Sequence, residues 1–216
     1  MSPDFSHETP LWEEGNRLVV GVDECGRGPL AGNVTACAAW FAPGTCAGDL
    51  AWVTDSKKLT EARVVEAAQR LREMPPSQFR FGLGTATPEE IDRINIRRAT
   101  VLAWERAVRA LLSSFSEGDA VYVLLDGPAD AEFSFPHTGL IKGDSRSLLI
   151  AAASIVGKAH RDAVMRELAG QHPQFSCWAR DKGYGSKTHI RALKTHGPVA
   201  GVHRMSYGPV AQTSLF

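Results

Sequence analysis

An uncharged, β-branched run, Leu18-Val19-Val20-Gly21-Val22, passes directly into Asp23-Glu24-Cys25-Gly26-Arg27-Gly28-Pro29-Leu30-Ala31-Gly32. An apolar run without polar alternation suits a central strand buried on both faces. Neighbouring strand residues point to opposite faces, so Asp23 and Glu24 serve one site only if regular pairing stops near them. The glycines at 26, 28 and 32 let backbone N–H groups approach a ligand without a Cβ in the way, and Arg27 adds a fork that matches phosphate. A nucleotide-binding loop is the weaker reading. No Lys-Ser/Thr follows the glycines, and a carboxylate pair just ahead of them repels a pyrophosphate unless a metal intervenes.

The same design recurs twice. Val121-Tyr122-Val123-Leu124-Leu125-Asp126-Gly127 is an apolar strand ending in an acid and a glycine, and Gly139-Leu140-Ile141-Lys142-Gly143-Asp144 repeats it before a helix expected over residues 147–168. If the three strands are neighbours in one sheet, Asp23, Glu24, Asp126 and Asp144 converge at one edge. Like charges so close disfavour joint ionisation, so the cluster either raises a pKa or binds cations. With oxygen ligands alone the cation is hard, Mg²⁺ or Mn²⁺. Two such ions about 4 Å apart activate a water and stabilise the leaving oxygen of a phosphoryl displacement. Glycoside hydrolysis also uses paired carboxylates, but it gives no purpose to Lys57, Lys58, Arg63, Lys142 or the basic last third.

That last third is marked. From residue 142 onward there are eleven Lys/Arg against four Asp/Glu, and residues 1–141 carry thirteen against twenty, although the net charge of the 216-residue chain is zero. An acidic catalytic part feeding a basic, polyanion-gripping part fits this asymmetry. Residues 1–16 hold four acids and no Lys or Arg and are expected to be a poorly ordered leader, with Trp12 pinning its end. Residues 34–41 read as a second strand, joined to the first by a Gly32-Asn33 hairpin turn, and residues 79–85 as a third. Thr60 is placed to cap a helix reaching about Arg72, which puts Lys57, Lys58 and Arg63 near a helix N-terminus as a phosphate grip. Thr87-Pro88-Glu89-Glu90 opens the best-marked helix, continuing to about Ser113, with a capping box. A short helix over 188–195 follows Gly183-Tyr184-Gly185.

No apolar run is long enough to span a bilayer, and no basic start precedes an apolar core, so the cytoplasm is the expected address. Cys25, Cys37, Cys46 and Cys177 lack paired spacing and are expected to be free thiols. His189, His196 and His203 recur every seven residues without completing a zinc site and are expected on the surface or in packing. Nothing in the pattern calls for more than a monomer.

The ordered motifs from about Leu18 to Val210 resemble the type 2 ribonuclease H family, bacterial ribonuclease HII. They are Asp23-Glu24-x-Gly26-Arg27-Gly28-Pro29-Leu30-Ala31-Gly32, Asp55-Ser56-Lys57-Lys58-Leu59, Glu90-Ile91-Asp92 with Asn95-Ile96, Asp126-Gly127 and Lys142-Gly143-Asp144. Ile150 to Ile155, Arg161-Asp162 with Met165, Gly183-Tyr184-Gly185 and His203-Arg204 complete them. The resemblance implies an α/β, RNase H-like fold with a mixed five-stranded sheet flanked by helices and a small helical C-terminal extension. It implies endonucleolytic cleavage 5′ of a ribonucleotide, in RNA/DNA hybrids and at single ribonucleotides in duplex DNA, by two-metal-ion catalysis, leaving 3′-hydroxyl and 5′-phosphate ends. Such an activity belongs to ribonucleotide excision repair. Asp23, Glu24, Asp126 and Asp144 would hold the ions; Gly26, Arg27 and Gly28 would read the ribose 2′-hydroxyl, the group that separates RNA from DNA; Tyr184 would stack near the junction sugar.

On this reading residues 17–170 are the catalytic domain, 171–210 a basic extension and 211–216 a tail. Gln212, Leu215 and Phe216 resemble the glutamine-x-x-leucine-phenylalanine peptide that hooks the bacterial sliding clamp, which makes the clamp an expected partner. Cys25 and Asn33 stand where Ala and Pro are commoner, Gly157 replaces a helix alanine, and residues 128–136 fit no pattern. Cys25 raises the question of thiol oxidation or softer metals beside the acids.

Overall fold

The computed structural model describes residues 2–16, 18–115 and 120–213. The opening run forms β1, Leu18–Cys25, followed by β2, Val34–Phe41, and β3, Phe79–Ala86; β4, Val121–Asp126, and β5, His137–Leu140, complete one five-stranded sheet in the order β3-β2-β1-β4-β5. β1 pairs antiparallel with β2, and β2 with β3, whereas β1–β4 and β4–β5 are parallel, so the sheet is mixed as expected. β1 and β2 are indeed neighbours, but residues 26–33 make a long excursion between them in place of a tight Gly32-Asn33 turn.

Helix α4, Leu148–Gln171, covers one face of the sheet with its alanine-rich centre. Close approach there depends on Gly21, because a Cβ at that position would stand 2.4 Å from the backbone carbonyl carbon of Leu149. The other face is covered by α3, Pro88–Leu112, which opens with the expected capping box: Glu90 N–H donates to Thr87 Oγ1 and Thr87 N–H to Glu90 Oε2. The expected single helix is broken at Asn95, whose φ is 67°, and the Asn95 carboxamide oxygen accepts the N–H of Arg98 to cap the second segment. Helix α2, Glu61–Glu73, packs on α4 and is capped by Thr60, which accepts from Arg63 N–H. Residues 128–136, which carried no legible pattern, form the β4–β5 connection and bury Phe133 edge-on against Trp104 of α3.

The C-terminal extension consists of α5, Trp178–Asp181, α6, Lys187–His196, and α7, Gly208–Ala211. Phe175, Trp178, Leu193 and Val210 make a third core with Leu30, Ala31 and Met165. His189 and His203 are buried packing groups here: Trp178 Nε1 donates to His189 Nε2, which also lies 3.0 Å from His203 Nε2.

The leader departs from expectation. It is packed rather than loose, and it contains a short helix α1, Thr9–Glu13. Phe5 is buried against Trp12 and Phe41, and Asp4 exchanges backbone hydrogen bonds with Arg146 and Leu148. Glu8 is fully buried, accepting from Ser147 Oγ at 2.6 Å and from Leu149 N–H at the N-terminus of α4. A segment whose acids look like solvated charge is thereby held by one of them.

Burial pushes the Glu8 carboxyl up from 4.5 to about 7 despite those bonds. Its folded value lies above its unfolded one, so its contribution is fully present below pH 4.5 and is lost as pH rises through about 7. Measured by thermal unfolding between those pH values, Glu8→Gln is expected to remove this decline. The variant gains on the parent by up to about 3 kcal/mol at the alkaline end; parallel profiles would contradict the assignment.

Candidate active site

β1 and β4 stay in register up to Val22↔Leu125, and one step further each strand presents an acid, Asp23 and Asp126, to the α4 face. Pairing on the other side of β1 runs on to Cys25↔Thr35, so regular structure does not stop at the acid pair as expected. Asp23 and Glu24 therefore leave β1 on opposite faces and come together only at the end of the sheet, where both still feel the charge of Asp126. Asp23 faces α4 and is 7 % exposed, while Glu24 faces α3 and accepts from Trp104 Nε1 at 3.0 Å and from Arg27 at 3.3 Å. Asp144 does not end a strand either. β5 closes at Leu140, and Asp144 sits in a 3-10 turn, Gly143–Ser145, ahead of α4. Gly143 N–H of that turn donates to Asp126 Oδ1 at 2.7 Å, which ties the two acids together.

Burial and neighbouring charge shift Asp23, Glu24 and Asp126. Burial, then the charges of Glu24 and Asp126, hold Asp23 well above the usual carboxylate range. Burial and then Asp144 raise Asp126, and burial raises Glu24 against the pull of Arg27. Several neighbours relieve the charge. Glu24 N–H donates to Asp23 Oδ1 at 2.8 Å, and the Ser154 hydroxyl, 2.8 Å from Ser56 Oγ, pulls the Asp23 pKa down. Lys57 Nζ lies 2.6 Å from Asp144 Oδ2; burial works against its charge, but the acids around it prevail and raise its pKa.

Among the described residues, no three His, Cys, Asp or Glu side chains are disposed to hold one metal ion as they stand. The donor set still suits a hard divalent cation. It is all oxygen, and its mutual repulsion is what such a cation relieves.

Asp23, Glu24, Gly26, Arg27, Gly28, Lys57 and Tyr184 line one cavity of about 330 Å³. Gly26 has φ +86°, and a Cβ there would meet Arg161 Nε at 2.1 Å, so only glycine fits. The Tyr184 ring is half exposed above Gly28. The expected lysine-arginine grip is split: Lys58 pairs loosely with Asp55, Arg63 lines a separate groove with Trp52 and Arg70, and Lys142 is exposed outside the cavity. Each is on a different side of its turn or helix, which linear proximity does not reveal. Lys158, Arg161, Asp162 and Lys182 also line the cavity but were given no role by sequence reasoning. Ser154, Lys158, Arg161 and Asp162 recur on one helical face, a spacing that could have pointed to them. Burial pushes the Cys25 thiol up to about 12, so little thiolate is present to oxidise or bind soft metals.

The family model for Ribonuclease HII matches residues 20–210. The chain belongs to the ribonuclease HII family. It is 44 % identical over 213 residues to the ribonuclease HII of Jannaschia sp., covering 98 % of both chains. With the ribonuclease HII of Sphingopyxis alaskensis it shares 44 % over 200 residues, 92 % of each. Among solved structures, Bst-RNase HIII in complex with Mn²⁺ matches with a TM-score of 0.73 at 16 % identity, over 93 % of this chain and 70 % of that one. The PCNA:RNase HII complex of Archaeoglobus fulgidus matches at 0.67 and 20 %, over 87 % and 93 %. The fold is the RNase H-like one expected, and the protein is a type 2 ribonuclease H, an endonuclease for RNA/DNA hybrids.

The Ser154 hydroxyl favours the charged form of Asp23, so in this enzyme Ser154→Ala is expected to slow cleavage by up to about tenfold. Turnover and melting temperature, measured together, check it: an unaltered rate in a folded variant denies Ser154 its part in keeping Asp23 charged.

Proposed function

We propose that Asp23, Glu24, Asp126 and Asp144 hold two divalent ions, Mn²⁺ or Mg²⁺, and that the enzyme cuts the phosphodiester 5′ of a ribonucleotide. Substrates are RNA/DNA hybrids and duplex DNA with a single embedded ribonucleotide, and the ends left are 3′-hydroxyl and 5′-phosphate. The observation that carries this reading is the convergence of four acids from β1, β4 and the 143–145 turn, close enough that burial and neighbouring charges raise Asp23 and Asp126. When bound, the ions supply Lewis acidity and a nucleophile at neutral pH. The manganese in Bst-RNase HIII supports that choice of cation.

The chain's own residues do the rest. Asp23 and Asp126 present oxygens side by side on the α4 face, Asp126 held by Gly143 N–H and Asp23 by Glu24 N–H. Lys57 neutralises Asp144, and were a cation to take over that role its ammonium would be free for the substrate phosphate. Arg27, Lys158 and Lys182 bring positive charge to the same cavity for the rest of the polyanion. The Gly26-Arg27-Gly28 backbone reads the ribose hydroxyl, and Tyr184, standing over Gly28, stacks on the junction sugar. This activity places the protein in ribonucleotide excision repair. The tail adds a partner: Gln212, Leu215 and Phe216 form the clamp-binding peptide, of which Leu215 and Phe216 lie outside the described residues. The archaeal relative solved with PCNA supports a clamp as partner.

A labelled duplex with one ribonucleotide is expected to be cut with Mn²⁺ or Mg²⁺ while all-DNA stays intact, and Asp126→Asn to lose activity at least about a hundredfold with the fold retained. A near-normal rate in that variant refutes the metal-binding role. Removal of residues 212–216 is expected to abolish binding to an immobilised bacterial sliding clamp; unchanged binding refutes the tail's role.

A further inference from the structure

Arg204 is fully buried in the C-terminal extension, far along the chain from the loop it touches. Its five N–H groups make five hydrogen bonds to four acceptors. Nη2 donates to Gly26 O at 2.6 Å and Gly32 O at 2.8 Å, Nε to Gly32 O at 3.0 Å, and Nη1 to Arg27 O at 2.8 Å and Tyr207 Oη at 3.2 Å. Tyr207 Oη then donates to Arg27 O at 2.7 Å. A buried guanidinium is costly unless fully satisfied, and here backbone carbonyls of one loop provide most of what it needs. The extension is fastened to that loop a second time, because Arg204 N–H donates to Leu30 O and Ala31 bridges to His203.

We propose that Arg204 and Tyr207 are positioning residues for ribose recognition: they hold the carbonyls of Gly26 and Arg27 inward and so aim the following N–H groups at the substrate. The geometry follows from the planar trans peptide, in which C=O and the next N–H point in opposite directions. Gly26 O and Arg27 O directed at Arg204 leave Arg27 N–H and Gly28 N–H directed away from it, on the loop that lines the acidic cavity. The extension, which contributes none of the four acids, thereby sets the enzyme's preference for a ribonucleotide. This rests on the reading that the Gly26-Arg27-Gly28 backbone recognises the 2′-hydroxyl.

The test measures binding, by fluorescence anisotropy with Mn²⁺ present, in the Asp126→Asn protein so that no cleavage intervenes. Two probes are compared, a DNA duplex with one ribonucleotide and the same duplex without it, and the readout is the ratio of their Kd values. Tyr207→Phe keeps the ring beneath Arg204 and removes only the hydroxyl. It is expected to reduce the ratio about threefold to fivefold, and Arg204→Lys at least about tenfold, while affinity for all-DNA moves less than about twofold. A merely structural role would weaken both probes together and leave the ratio unchanged, and that result in Tyr207→Phe overturns the proposal even if Arg204→Lys fails to fold. Gly28→Ala separates the two levels, since its Cβ would stand at an ordinary 3.4 Å from Tyr184. Loss of the ratio in Gly28→Ala but not in Tyr207→Phe or Arg204→Lys rejects the positioning role and leaves loop recognition standing. A ratio unmoved in all three rejects loop recognition, and the positioning role with it.

Discussion

Four carboxylates brought to one edge of a sheet repel one another, and the protein folds in spite of that repulsion. Asp23 is nearly buried, and its charged form is opposed both by desolvation and by Glu24 and Asp126. Local groups reduce the cost: the Ser56–Ser154 hydroxyl pair at Asp23, Gly143 N–H at Asp126, Trp104 Nε1 at Glu24 and the Lys57 ammonium at Asp144. The stability that offsets the remainder comes from the apolar faces of the strands. β2 is buried along its whole length, and β1 is buried up to the acids. Stored repulsion of this kind favours any divalent cation that the oxygens can share.

Helix α4 is the common support. Its first turn is fixed by Ser147 and by Glu8 of the leader, directly after the turn that presents Asp144. Its middle turns supply Ser154, Lys158 and Arg161 to the cavity, and its later turns carry Met165 and Ala169 into the third core with the extension. The two chain ends thus bear on the site from opposite ends of one helix. The leader steadies an acid, and the extension steadies the loop of Gly26 to Gly32. Trp104 does similar work on the other face, where Phe133 packs against the indole that donates to Glu24.

Much of the architecture was legible because local pattern and global fold agree. The unbroken apolar run of β1, the capping box at Thr87 and the strand-acid-glycine design of β4 each announce one element, and the recurrence of that design pointed to Asp126 and to Asp144, although Asp144 follows β5 by a turn and does not end it. The two family-level expectations, a mixed five-stranded sheet and an extension of short helices, hold for the same reason. Other features depend on contacts between distant residues. Residues 1–16 read as solvated charge because composition cannot show that Glu8 finds Ser147, 139 residues away. Lys57, Lys58 and Arg63 look like one grip in the sequence, but a 3-10 turn and a helix cap send them in different directions.

Side-chain chemistry and backbone sterics alone fix which residues are acids, which apolar runs become strands and where glycine is obligatory. Long-range contacts are needed to see that Asp23 and Glu24 point to opposite faces, that Asp144 reaches the site from a turn, and that Arg204 holds the carbonyls of residues 26, 27 and 32. Those outcomes are set by register and by long-range packing, which form when elements far apart in the chain bury their apolar faces together.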